Sequence, residues 1–73
     1  MDKPAFFNAV AEILEADPSG LTGAERIEDV GNWDSLSVIS FVAMVDSDLN
    51  QIVDGEKLKD AKTLNDLAAL VGL

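Results

Sequence analysis

The sequence predicts an all-α fold: a small four-helix bundle of three longer helices and one short third helix, with a long loop between helices one and two. Three observations predict it. Apolar residues recur at helical spacing in separate stretches. Capping and breaking residues stand at the ends of those stretches. A chain of 73 residues can bury only one thin core, so residues 1–73 form a single domain.

The first helix is expected from Pro4 to Ala16. Phe6, Val10, Ile13 and Leu14 share one face with Phe7 beside them, while Asn8, Glu12 and Glu15 fall largely opposite. Asp2 suits the N-cap and Pro4 the first turn. Asp17-Pro18-Ser19-Gly20 then breaks the helix. The loop onward to Asn32 is long for so small a domain and needs anchors, for which Leu21, Ile27 and Val30 are candidates. A short helical turn is expected near Ala24–Glu28.

The second helix is expected from Ser35 to Leu49. One apolar stripe holds Leu36, Ile39, Val42 and Ala43, and another holds Val38, Phe41, Val42, Val45 and Leu49. The β-branched residues raise a strand alternative, but Ser37, Ser40, Asp46, Ser47 and Asp48 do not alternate with them at period two. The apolar surface is wider than one core contact requires, so Leu36, Ile39 and Ala43 are expected to meet a partner. Asp54 caps a short third helix reaching Ala61, with Leu58 its main apolar residue. Thr63 and Asp66 form a capping-box variant opening a last helix whose buried face is Leu64, Leu67, Ala68 and Val71.

Charge narrows the partners. The net charge is -9, and no Lys or Arg occurs between Arg26 and Lys57, a span holding Glu28, Asp29, Asp34, Asp46, Asp48, Asp54 and Glu56. Nucleic acid and anionic membranes are poor partners for such a chain, and basic protein surfaces are good ones. No apolar run is long enough to span a bilayer, and no basic, apolar leader is present. The absence of Cys excludes a disulfide framework and permits a reducing compartment. The expectation is a soluble, cytoplasmic monomer.

Much chemistry is excluded by residue type. There is no His and no Cys, which removes the commonest general base and metal ligand, and any thiolate nucleophile. Asp46-Ser47-Asp48-Leu49-Asn50 opens like a calcium loop, but Gln51 stands where the turn needs Gly and Lys57 where a bidentate Glu should be. No glycine loop cradles a phosphate. An enzyme is not expected, and no metal site is.

One stretch stays unexplained by packing: Asn32-Trp33-Asp34-Ser35-Leu36, which holds the sole Trp. With Asp34 as N-cap, Ser35 falls in the first helical turn, beside unpaired amides and the positive end of the helix dipole. A phosphate ester on its oxygen would sit well there. Ser35 is a poor catalytic nucleophile without a His, and a reasonable acceptor.

Glu28-Asp29-Val30-Gly31-Asn32-Trp33-Asp34-Ser35-Leu36, the helix after it and the Thr63 cap together resemble the acyl carrier protein family, most strongly from Ile27 to Val71. In that family an Asp-Ser-Leu triplet opens the second helix and its Ser carries 4′-phosphopantetheine. The resemblance implies Ser35 as the attachment residue, flanked by Asp34 and Leu36. It implies a second-helix docking face here comprising Leu36, Ser37, Ile39, Ser40, Ala43, Asp46 and Asp48. It also implies an acyl shelter within the bundle, for which Phe41, Val45, Val53, Leu58, Ala61 and Ala68 are candidates. The implied partners are a phosphopantetheinyl transferase and acyl-loading and acyl-processing enzymes with basic docking surfaces. The implied function is carriage of acyl intermediates as thioesters in fatty-acid, polyketide or related biosynthesis. The chain departs from typical fatty-acid carriers in Trp33, in Ser37 and Ser40 where acids are common, and in Asp54 where Pro is common. A specialised stand-alone carrier therefore fits well, with a peptidyl or aminoacyl carrier as the alternative within the class. From a different class, the alternative is an unmodified acidic helical module that binds a basic partner without using the Ser35 hydroxyl.

Overall fold

The computed structural model describes residues 1–73. Five helices and no strand make up the fold: α1 (Lys3–Ile13), α2 (Ile27–Val30), α3 (Ser35–Leu49), α4 (Gly55–Asp60) and α5 (Leu64–Leu70). α3, α4 and α5 are the second, third and last helices of the sequence prediction, and α2 is a single turn within the long loop. The all-helical class holds, but the count of four and the three longer members do not. Only α1 and α3 are long, at 11 and 15 residues, while α5 has 7 and α4 has 6.

Local chemistry sets these boundaries. The Asp2 carboxylate accepts from the Ala5 amide at 2.9 Å to open α1. The helix ends at Ile13, three residues short of the expected Ala16. Glu15 turns into the left-handed region at φ 58°, and the amides of Glu15 and Ala16 fold back on the carbonyls of Glu12 and Ala11 at 3.1 and 2.9 Å. This closure usually uses Gly at the left-handed position. It ends the helix before Asp17 and Pro18 are reached. α5 closes the same way with Gly72 at φ 81°, the Leu73 amide returning to the Ala68 carbonyl at 2.9 Å. That closure makes α5 short.

The loop between α1 and α3 is strapped down. The Glu25 carboxylate accepts from the amides of Thr22 and Gly23 at 2.8–3.1 Å. The Glu25 carbonyl takes the Leu64 amide at 3.1 Å, and the Ile27 amide reaches the Lys62 carbonyl at 2.9 Å, so that Arg26 pairs antiparallel with Thr63. Arg26 is therefore extended, and the helical turn expected at Ala24–Glu28 is displaced to Ile27–Val30. Two glycines permit the close approaches. At Gly23 a Cβ would overlap the Asn65 side chain and the Phe7 ring, and at Gly31 it would overlap the backbone and Cβ of Leu14.

The core lies where α1, α3 and α5 meet, with Ile27 from α2 and Leu58 from α4 sealing it. Phe6, Val10, Phe41, Val45, Leu64 and Leu67 are fully buried. Their burial contributes roughly 1.5–3 kcal/mol per large side chain, which offsets the chain entropy of so small a domain. Phe6 meets Phe41 edge-on at 6.0 Å between ring centroids. Of the expected loop anchors, Ile27 is buried, and Leu21 and Val30 pack partly buried against the core.

Candidate functional site

The stretch that packing leaves unexplained becomes a defined corner of the molecule. Chain entry is set by Gly31 passing against the end of α1, where the Asn32 amide donates to the Leu14 carbonyl at 3.3 Å. Trp33 then lays its ring edge-on against Phe41, at 6.1 Å and 75°. Trp33 thus joins the aromatic row Phe41–Phe6–Phe7 and pins the loop to the bundle.

Asp34 caps α3. Its Oδ1 accepts from the Ser37 amide at 2.9 Å and stands 3.0 Å from the Ser37 hydroxyl. The Ser37 Oγ also donates to the Asn32 carbonyl at 2.5 Å. One hydroxyl proton thus ties the loop before the helix to the helix itself. The Ser37 amide, and then its hydroxyl, hold the Asp34 carboxyl below its ordinary value, so it is ionised at neutral pH. Its charge is turned inward to the cap.

Ser35 is exposed and stands outside this network. It is the first residue of α3, where the amides lack intrahelical acceptors. Its neighbours Asp34 and Leu36 line a groove of about 170 Å³ together with Ile13, Glu15, Asn32, Ser37 and Ser40. The corner can take a phosphate ester: the Ser35 hydroxyl is exposed, the first-turn amides of α3 lack intrahelical acceptors, and the adjacent Asp34 carboxylate is engaged by Ser37.

The other predicted site residues separate into three groups. Leu36, Ile39, Ser40, Ala43, Asp46 and Asp48 are exposed along α3, with Leu36 at 72% and Ile39 at 65%. Ser37 does not belong with them: it is 6% exposed and its hydroxyl is consumed by the Asn32 carbonyl and Asp34. Among the predicted shelter residues, Phe41, Val45 and Ala68 are sealed in the core, and Val53 is half-buried. Leu58 borders a surface groove of about 300 Å³ between α3 and α4, together with Trp33, Val38, Val42, Gly55 and Lys59. Ala61 borders a smaller one, about 130 Å³, with Trp33, Arg26 and Lys62. Val38 and Val42 are groove residues that the helical pattern alone assigns to packing, and Trp33, from the loop before α3, joins them.

An exposed serine at a capped helix start is an accessible acceptor for a covalent group. A family model described as a phosphopantetheine attachment site matches residues 5–71. The chain belongs to that family: it is a phosphopantetheine carrier whose cofactor is covalent 4′-phosphopantetheine. No curated protein and no solved structure gives a match. No helix is long and apolar enough to cross a membrane.

Proposed function

We propose that the chain is an acyl carrier, modified at Ser35, that presents acyl intermediates to fatty-acid, polyketide or related biosynthetic enzymes. The observation that carries the assignment of Ser35 is the contrast within the first turn of α3. The Ser35 hydroxyl is exposed and unengaged, whereas the Ser37 hydroxyl is buried and bonded. Asp34 and Leu36 flank the acceptor, one capping the helix and the other standing 72% exposed for recognition. The chain has neither His nor Cys, so the base that activates Ser35 comes from the modifying enzyme. When bound, the arm supplies the thiol on which an acyl group is held as a thioester.

The rest of the chain serves presentation. Leu36, Ile39, Ser40, Ala43, Asp46 and Asp48 form the docking face for enzymes with basic surfaces. Charge steering suits partners that must meet and part repeatedly. The carrier works as a cytoplasmic monomer, since like charge opposes self-association. The test is intact mass after incubation with coenzyme A and a broad-specificity phosphopantetheinyl transferase. Wild type gains one phosphopantetheine and Ser35→Ala gains none. A wild type without the gain, or a Ser35→Ala variant that still gains it, overturns the reading.

A further inference from the structure

Cations are scarce in this chain, yet two of its five line one small groove. The groove, of about 130 Å³, is formed by Arg26, Ile27, Glu28, Trp33, Ala61 and Lys62. Arg26 and Lys62 come from distant parts of the sequence, and backbone pairing sets them together. The Ile27 amide donates to the Lys62 carbonyl at 2.9 Å, and Arg26 pairs antiparallel with Thr63. Neither cation is firmly held by an acid. Arg26 meets Glu28 at 3.6 Å with both side chains more than half exposed, a pair that an incoming anion displaces at little cost. Lys62 belongs to neither of the two ion pairs of the molecule. The Asp66 carboxylate is turned to the Lys62 and Thr63 amides, at 2.9 and 3.1 Å. Trp33 is half-buried, with its ring edge-on to Phe41, and it also borders the apolar groove between α3 and α4. One ring is thus a wall common to an apolar groove and a cationic one.

We infer that Arg26, Lys62 and Trp33 seat the carboxylate end of an acyl group carried on the arm, which makes the cargo a half-thioester of a dicarboxylic acid. The inference rests on the carrier reading with Ser35 as acceptor, and names the class of cargo. Pockets that enclose a whole small ligand span about 300–1,000 Å³. The cationic groove is smaller, so it suits the end of a ligand that is held elsewhere. A flexible arm is such a holder: Ser35 is two residues from Trp33, at most about 7 Å of extended chain. Tethering raises the local concentration of the acyl end to about the millimolar range, where contacts as weak as exposed ion pairs suffice. The Arg26 guanidinium can take a carboxylate in a bidentate pair, with the Lys62 ammonium as a second donor. The methylenes between thioester and carboxylate lie along the indole. A neutral acyl chain gains nothing from the two cations.

The experiment loads the chain from glutaryl-coenzyme A and, separately, from pentanoyl-coenzyme A with a broad-specificity transferase, intact mass confirming each product. The two acyl groups differ only in a carboxylate for a methyl. The readouts are the emission of the sole Trp and thermal unfolding at low salt. The glutaryl form shifts the Trp33 emission and melts about 2–4 °C above the pentanoyl form, the scale of weak exposed pairs in a domain of this size. Added negative charge on a chain of net charge -9 would by itself lower Tm, so a rise marks the contact. Moderate salt shrinks the difference. The Arg26→Gln/Lys62→Gln double variant, its fold checked by the unloaded melting curve, loses both differences, and Lys3→Gln on α1 keeps them. Free glutarate, added to the phosphopantetheine-loaded chain at equal concentration, shifts nothing; a shift there would assign the groove to a free anion and overturn the cargo. Glutaryl and pentanoyl forms alike in emission and Tm overturn this inference alone, whatever the variants do. A wild type that takes up no group overturns the carrier reading and this inference with it.

Discussion

Replacing Ser37 by Ala tests how the attachment corner is built. Ser37 is 6% exposed, and its hydroxyl donates to the Asn32 carbonyl at 2.5 Å while lying 3.0 Å from the Asp34 carboxylate. The substitution removes one oxygen and leaves almost no cavity, so packing losses are small. The loss is that of the Ser37–Asn32 hydrogen bond. Asn32 is exposed and water partly replaces the donor, which places the cost at about 1 kcal/mol. For a domain of this size that lowers Tm by about 4–8 °C. The assay is thermal unfolding followed by circular dichroism, paired with the mass of the product after loading. Ser37→Ala melts earlier and still gains phosphopantetheine, whereas Ser35→Ala melts like wild type and gains none. An unchanged melting temperature would refute the structural role of Ser37. Loss of modification equal to that of Ser35→Ala, in a folded Ser37→Ala protein, would refute the division of labour between the two serines.

Other consequences concern the fold. Gly31→Ala places a Cβ on the Leu14 backbone, and the overpacking costs roughly 1–3 kcal/mol in urea denaturation, against near-neutral behaviour at Gly55, where a Cβ meets nothing. Asp66 accepts from the Lys62 and Thr63 amides at 2.9 and 3.1 Å, and those bonds lower its pKa. Its contribution is full above the ordinary aspartate value and is lost as pH falls through the lowered one, so stability declines over the acid range below that ordinary value. Asp66→Asn shows a smaller decline in denaturation midpoint over that range. The acids between Arg26 and Lys57 have few cations near them, and the two ion pairs, Arg26–Glu28 at 3.6 Å and Lys59–Glu56 at 3.8 Å, are highly exposed. Raising ionic strength from low to moderate should therefore raise Tm; a flat response would show that these charges are too dispersed to matter.

Features decided by local chemistry were legible in the chain. Asp34 before Ser35, Asp54 before Gly55, and Thr63 with Asp66 mark helix starts by residue type, and all three caps form. The helical spacing of Phe6, Val10 and Leu14, and of Phe41 and Val45, marks core faces that are buried. Features that depend on where distant segments meet were not legible. Ser37 reads as an outward polar residue because the carbonyl that captures it, Asn32, arrives from the loop. The helical turn moves to Ile27–Val30 because Glu25 and Arg26 are drawn to the head of α5. The end of α1 is misplaced because Glu15 adopts a conformation that its residue type does not advertise. Arg26 and Lys62 read as separate surface cations until the pairing of Arg26 with Thr63 brings them to one groove.

The central claim is that the arm is attached to Ser35 and to no other hydroxyl. The direct measurement is to load the wild-type chain with coenzyme A and a broad-specificity phosphopantetheinyl transferase, then locate the added group by fragmentation mass spectrometry across residues 29–56. That stretch contains Ser35, Ser37, Ser40 and Ser47, so the fragments distinguish among them. The prediction is a single phosphopantetheine on Ser35. The group found on Ser37, Ser40 or Ser47, or found on none, would contradict the account.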